Sequence, residues 1–572
     1  MYHTRTAAKA ALLVSTSFFP AFGLAQEADP GGVTVLDTIS ITGNWLDQPN
    51  QETALKHPGA RTILDRDTFE TRGASDVRDA LNMVPGVQVQ ESSGTGGSDI
   101  SLNLGVRGLT SRLSPRSTVL MDGVPLSYAP YGQPQLSLFP LTLGNVETID
   151  VVRGAGSVRY GPQNVGGIIN FVTRPIPDEW TARFASGAEI AGNNGHVKAT
   201  PNLLIGGTNA NGLGAAILYS GVHGQGYRDS NDRTDIDDLI LKGSYDFSDT
   251  DSLNIQFHHY DGEGRMPGGL TAAEYAEDPF QSTRRYDEFS GRRDDISLRY
   301  HHDDGVNDFE LLTYYVNSFR SSHIEQQGTA DKAGRYRLTA APRNYEYFAI
   351  EPRYSRLFEL GSTTHEVTVG YRYHWEESSE IAARTDFYDR SSSINPERLV
   401  SNAYQTSDGG TIAHAFYIDD KIEIGNWTVT PGVRYELINT HNNITLSRRS
   451  CPDRTRRHAL SSLRRGFCRR CSSVTKGGRT SASDPGLARR PGRNRAVPLQ
   501  PAFVDPQDGA EKQDCESRPC RRWLAAHGSW PMRTSGRSIS AMTFIPVSRS
   551  ATPCGRPRGI SCSCASPNPI RR

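Results

Sequence analysis

The chain has 572 residues, and its first 446 contain no cysteine. All eight cysteines lie at Cys451 or beyond, while all 23 tyrosines precede residue 447. Disulfides therefore cannot hold the long N-terminal part together. An excess of either charge is also missing, but the zero sum hides two unlike parts. Residues 1–446 carry 37 Lys and Arg against 56 Asp and Glu, a balance of −19, and residues 447–572 carry 26 against 7, a balance of +19. No apolar run reaches the ~20 residues of a membrane-spanning helix. A transmembrane barrel is still open to the chain, because its strands need only ~10 residues of alternating character. There is no G-x-G-x-x-G and no P-loop Lys-Ser/Thr, which removes those nucleotide sites. No nucleophile–base constellation points to an enzyme.

What is present begins with "MYHTRTAAKAALLVSTSFFPAFGLAQ". A basic start, a short apolar run and small residues before Gln26 predict a secretory signal peptide over residues 1–25. Residues 26–60 read as a polar linker around "VLDTISITG" (35–43), a short β-prone run suited to pairing with a partner's sheet edge. Residues 61–177 read as a compact mixed α/β domain. In it, "DVRDALNMVPGVQV" (76–89) predicts a short helix stopped by Pro85-Gly86 and then a strand. "STVLMDGVPL" (117–126) predicts a strand entering an Asp-Gly turn. "ETIDVVRGAGSVRYGPQNVGGIINFVTR" (147–174) has two apolar runs around a glycine-rich middle.

From about residue 178 the pattern changes to long alternation. In "EVTVGYRYH" (366–374), Val367, Val369, Tyr371 and Tyr373 share one face, opposite Glu366, Thr368, Arg372 and His374. "WTVTPGVRYE" (427–436) and "ISLRYH" (296–301) repeat the scheme. A soluble sandwich alternates too. Long segments, aromatic-rich apolar faces, a signal peptide and long polar loops favour an outer-membrane barrel over 178–446. His258-His259 and His301-His302 sit on predicted strands, where neighbours point to opposite faces, so neither pair is placed to chelate one ion.

"LGVRGL" (104–109), "VLMDGVPL" (119–126) and "IDVVRGAGSVRYGPQNVGGIINFVTR" (149–174) resemble the TonB-dependent outer-membrane receptors. "RSTVLMDGVPLSYAPYGQPQLSLFPLTLGN" (116–145), "DGEGRMPGGL" (261–270), "IEPRYS" (350–355) and "YIDDKIEIGNWTVTPGVRYE" (417–436) are similar to the branch that takes ferric citrate, iron dicitrate. The resemblance covers about residues 33–446. It implies a mainly β fold: a 22-stranded transmembrane barrel in the family, here partial, filled by the 61–177 domain as a plug. It implies a monomer in outer-membrane lipid that imports ferric citrate with energy from the inner-membrane TonB complex. Iron would arrive as a citrate chelate, with no cofactor, no direct metal ligand and no nucleic acid. The TonB box falls on Asp37, Thr38, Ile39, Ser40, Ile41 and Thr42. Only a short segment separates box and signal, so no periplasmic signalling domain is expected. By motif match, citrate contacts fall on Thr95, Gln133, Arg320 and Arg343, with Arg390 the candidate for a further arginine. Arginine suits the task, because its planar fork binds a carboxylate with two hydrogen bonds. The alternatives are a receptor for another ferric siderophore, or a surface-binding barrel without transport. The plug also carries Arg107 and Arg153, expected to pair with barrel acids.

After residue 446 the alternation stops. "SSLRRGFCRRCSSVTKGG" (461–478) holds Cys468 and Cys471 as a Cys-x-x-Cys among arginines, but no second pair follows at zinc-ribbon spacing. Arg, Ser, Pro and Cys without period are what an out-of-frame reading of a GC-rich gene gives. Residues 447–572 are therefore expected to be a frameshifted, disordered tail. Residues 178–446 would supply about half the strands of the family's barrel, leaving this chain's own transport in question.

Overall fold

A computed structural model describes residues 46, 49, 51–446, 537–539 and 548–549, except 58, 91–99, 110–113, 115, 154–157, 163, 330–331, 390, 392–393, 395–402 and 426. The signal peptide, the TonB box and nearly all of the expected tail lie outside the described residues.

The plug begins earlier than expected. Helix α1 (Gln51–Lys56) already belongs to it: the Gln51 amide donates to the Ile63 carbonyl at 3.1 Å, and Leu46 is buried against Leu120, Val152 and Tyr160. Helices α2 (Arg66–Thr71) and α3 (Val77–Asn82) start at Asp65 and Asp76, whose carboxylates accept from Thr68 and Asp79 N–H groups. These side chains satisfy amides that the first helical turn leaves without partners. The strands are β1 (Ala60–Asp65), β2 (Val87–Val89), β3 (Leu104–Val106), β4 (Ser117–Met121), β5 (Val124–Pro125), β6 (Val146–Arg153) and β7 (Gly167–Thr173). Five of them form one sheet in the order β1-β6-β7-β4-β5, with β4 parallel to β7. Helices α2 and α3 cover it, burying Phe69 and Leu81 with Ile149, Ile169 and Phe171. The Asp-Gly turn forms as predicted: Asp122 and Gly123 both take positive φ, 48° and 83°.

The barrel segment is an antiparallel meander: β8 (Thr181–Ile190), β9 (Val197–Thr208), β10 (Leu213–Gln225), β11 (Arg233–Asp246), β12 (Asp251–Arg265), β13 (Glu288–Asp303), β14 (Asn307–Gln327), β15 (Tyr336–Ala340), β16 (Arg343–Leu360), β17 (Thr363–Arg384), β18 (Ala403–Ile424), β19 (Trp427–Val429) and β20 (Gly432–Leu446). One end has tight turns, as at Gly361 with φ 65° between β16 and β17. The other end carries the long connections 266–287 and 385–402. In outer-membrane barrels the long loops face outward. Strands β14, β17 and β18 have 21, 22 and 22 residues, more than the ~10 a crossing needs, so they project beyond the bilayer.

The two faces are inverted relative to a water-soluble sandwich. Ile296 is 44% exposed while its neighbour Asp295 is 2% exposed; Val369 is 42% exposed while Thr368 is fully buried. Apolar side chains face out, as lipid requires, and charged ones face the plug-filled lumen.

Two short pieces of the expected tail are strand. Arg537–Ile539 pairs with Tyr435–Leu437 on β20, and Ser548–Arg549 pairs with Trp427–Thr428 on β19. A sheet edge offers free N–H and C=O groups to any nearby backbone, so these five residues are strand rather than disordered.

The turn at Asp122 joins the plug sheet to the wall. Its carboxylate accepts from Thr173 N at 2.9 Å and Thr173 Oγ1 at 2.5 Å, and its carbonyl accepts from Arg299 Nη2 at 2.6 Å. Asp122→Ala is expected to cost about 2 kcal/mol, from the lost acceptors and the left-handed backbone, and Asp122→Asn less than half of that. Denaturant midpoints of the full chain in detergent measure both; equal losses would exclude the carboxylate as the cause.

Candidate functional site

The lumen wall is lined with buried charge, and the plug meets it mostly with backbone. Arg159 of the plug makes a two-point ion pair with Asp419, at 2.6 and 2.9 Å, and donates to Thr368. Arg434 donates to the carbonyls of Val158 and Arg159, and Arg372 to that of Gly161 while pairing with Glu351 at 2.8 Å. Arg293 and the Tyr347 hydroxyl both donate to the Pro125 carbonyl. Asp238 accepts from Thr142 N and Oγ1 at 2.7 and 2.8 Å. Arg107 and Arg153 are not the plug's partners for barrel acids. Arg153 donates to the Pro85 carbonyl and Thr62 Oγ1 within the plug, and Arg107 makes no pair among the described residues. The strand ends at Arg153, and its side chain turns back across the plug's own sheet. Arg159, six residues on, reaches the wall instead.

On the outward side of the plug, Ala129–Gln133 forms a tight loop closed by a Gln133 N–H to Ala129 carbonyl bond of 2.9 Å. The wall pins this loop. Glu376 accepts from Tyr131 N at 3.1 Å and Gly132 N at 2.6 Å, and a Cβ at Gly132 would stand 3.0 Å from the Glu376 carboxylate. Gln133 is thereby presented to β16. Its Oε1 accepts from Arg343 Nη1 at 3.1 Å and from the Tyr345 hydroxyl at 2.8 Å. Arg343 and Arg320 are direct cross-strand partners on β16 and β14. Arg320 lies over the rings of Tyr128 and Phe289, 5.9 and 5.7 Å from their centroids, and Tyr128 stacks on Tyr345 at 4.8 Å. Arg343 also pairs with Glu380 at 2.6 Å. Arg320 has no carboxylate partner among the described residues, and its Nε is buried without a hydrogen bond.

Three of the expected contacts, Gln133, Arg320 and Arg343, therefore meet at one place on top of the plug. Thr95 and Arg390, like the TonB box, lie outside the described residues. Tyr128, Phe289, Tyr345, Glu376 and Glu380 were not anticipated. Tyr345 was within reach of period-two reasoning, since it follows Arg343 by two residues on one strand. Glu376 was not, because only the folded plug brings Gly132 to it. The cluster offers cationic and hydrogen-bond donors on an aromatic floor, which suits carboxylates. The pair His258-His259 does point to opposite faces: His258 is buried between Asp238 and Asp295, whereas His259 pairs with Asp294 on the outer face.

The chain matches the TonB-dependent Receptor Plug Domain over residues 53–168 and the TonB dependent receptor-like beta-barrel over 191–463. Among solved structures it is similar to the ferric citrate transporter FecA in its unliganded form, 44% identical, with a TM-score of 0.66, over 71% of this chain and 60% of that one. The ferric-catecholate import receptor Fiu from E. coli K12 shares the fold at 17% identity and a TM-score of 0.53, over 67% of this chain and 57% of that one. A curated relative, the vitamin B12 transporter BtuB of Photobacterium profundum, is 26% identical over 40% of this chain and 36% of its own length. The chain spans less than two thirds of each of these proteins.

Burial pushes the Tyr131 phenol of the pinned loop up to about 12. A phenol that keeps its proton longer in the folded state than the ordinary ~10 stabilises the fold below pH ~10. That contribution is lost as pH rises towards about 12. Tyr131→Phe should lessen the alkaline fall in Tm across this window by about 2–4 °C. Superimposable Tm–pH curves for the two proteins would exclude the effect.

Proposed function

The chain belongs to the TonB-dependent receptors, outer-membrane barrels filled by a plug, and on that footing we propose that it binds ferric citrate at its outer face and imports it with energy from the inner-membrane TonB complex. The observation that carries this reading is the cluster of Arg320, Arg343 and Gln133. Citrate already holds the iron, so the receptor's task is to recognise the carboxylate shell. Two guanidiniums do this with directed donors, and Arg320 is charged, buried and unpaired among the described residues. The Gln133 NH2 group likewise makes no bond among the described residues, and Thr95 and Arg390 complete the proposed set. The similarity to a ferric citrate transporter supports the same ligand. Asp37–Thr42 is the proposed point at which the TonB complex engages the chain. A second reading, a receptor for an aromatic ferric chelate, draws on the Tyr128–Tyr345 stack beside the arginines.

Equilibrium binding of ⁵⁵Fe-citrate to the purified full chain tests the proposal. Arg320→Gln and Arg343→Gln are each expected to raise Kd about ten-fold or more, the loss of one charge-assisted bond. Deleting 37–42 should leave binding intact and abolish energised uptake. Arginine variants that bind as wild type, with a catecholate chelate displacing ferric citrate, would transfer the assignment to the aromatic ligand. Uptake that persists after the deletion would exclude the TonB step.

A further inference from the structure

Beyond the floor site, β14, β15 and the end of β17 rise above the plug as a small sheet. Its lumen face is identified by Ile324, which packs against the cluster over the plug apex. Thr339 opposes Ile324, and Arg384 opposes Thr339. Arg337 opposes Gln326, two residues beyond Ile324. Cross-strand partners share a face, so Arg337 and Arg384 both look into the vestibule.

Each guanidinium lies over a ring. The Arg337 Cζ is 4.1 Å from the Phe387 centroid and the Arg384 Cζ is 4.5 Å from that of Tyr404. Stacking occupies one face of the guanidinium and leaves its in-plane N–H donors at the edge. Neither arginine makes a hydrogen bond or ion pair among the described residues, and Arg337 Nε is buried without a partner. Two acids stand nearby. Asp389 is taken by Arg335 at 3.6 Å, and Asp386 is within electrostatic reach of Arg337. Among the described residues, three arginines stand against two aspartates there, which leaves that part of the rim positive. The supporting sheet is fixed from behind. Leu338, Ala340 and Ala383 are buried beneath Tyr286 and Tyr388, and the Tyr388 hydroxyl donates to Glu325 at 2.8 Å.

We propose that Arg337 and Arg384 form a second, outer anion site that takes a polycarboxylate on the wall of the vestibule, above the floor site of Arg320 and Arg343. Arg384 is four residues along β17 from Glu380, the partner of Arg343, which places the two sites about 13 Å apart at ~3.3 Å per residue. An anion held at the rim raises its local concentration over the floor and speeds its capture. This extends the proposed reading of an anionic chelate as the ligand, but the outer pair would bind a polycarboxylate whether or not it carries iron.

Iron-free ¹⁴C-citrate is the probe, used in equilibrium dialysis at low ionic strength with the full chain carrying Arg320→Gln and Arg343→Gln. Removing the floor arginines isolates the rim. This protein should still bind citrate, with affinity falling as salt rises. Adding Arg337→Gln and Arg384→Gln should weaken binding at least ten-fold, and Arg337→Lys with Arg384→Lys should give an intermediate loss, since charge remains without the fork. Near-UV circular dichroism confirms that each variant is folded. No citrate binding in the floor variant, or binding indifferent to Arg337 and Arg384, overturns the outer site. Citrate binding that depends on Arg337 and Arg384, in a chain whose wild type ignores ferric citrate, would sink the proposed ligand and leave the outer site standing.

Discussion

The structure depends on how charge is satisfied inside the barrel wall. Its lumen face carries Asp238, Arg293, Asp295, Arg353, Arg372, Asp419 and Arg434, all buried. Such groups are tolerable only when paired and hydrogen-bonded, because an isolated ion in a dry site costs several kcal/mol. Wall residues alone pair some of them, as with Arg293–Asp295 and Arg434–Glu436. Other guanidinium donors, from Arg293, Arg372 and Arg434, end on plug carbonyls at Pro125, Val158, Arg159 and Gly161. The plug thus works as an internal solvent for the wall. Its irregular loops supply acceptors that a regular sheet would have spent on its own ladder.

The same rule, left incomplete, makes the candidate site. Arg343 is satisfied twice, by Glu380 and Gln133, whereas Arg320, among the described residues, rests only on aromatic rings. A cation held by rings keeps its strongest interaction available for a ligand. Glu376 contributes differently. Its charge is spent on two backbone N–H groups, so it fixes Gln133 without presenting a bare carboxylate to an incoming anion. An acid near an anion site is then no contradiction.

Much of this was legible in the chain and some was not. Alternation in "EVTVGYRYH" identified which face of β17 meets lipid, because a strand's period leaves no other choice once one face is apolar. The helix ending before Pro85-Gly86 and the Asp122-Gly123 turn followed from residues with few backbone options. Arg320 and Arg343 were found by motif, but their registration across β14 and β16 is a property of pairing 23 residues apart. The early start of the plug was missed because α1 has little signal of its own; its Gln51 is held by a carbonyl on the next strand. The plug arginine that meets the wall was misassigned, since Arg153 and Arg159 look alike in a glycine-rich stretch. Only the course of the chain beyond β6 decides between them.

The interface between plug and wall is uneven in kind, and that has an energetic consequence. Against β9–β11 the contact includes an apolar core: Leu204, Ala216, Leu218 and Ile240 join the plug's own cluster, beside the Thr142–Asp238 bonds. Against β17–β20 it is polar, built from Arg372, Asp419 and Arg434. A hydrogen bond exchanged for one to water changes free energy by only ~1 kcal/mol, provided water reaches both partners. Apolar surface returned to water loses ~25 cal/mol for each Å². Parting the plug from the polar wall is therefore the less costly displacement, and the apolar contact is the natural pivot. The polar side is also the side beneath Glu376 and Glu380 on β17. The wall that pins the Gln133 loop is the wall from which the plug parts at least expense.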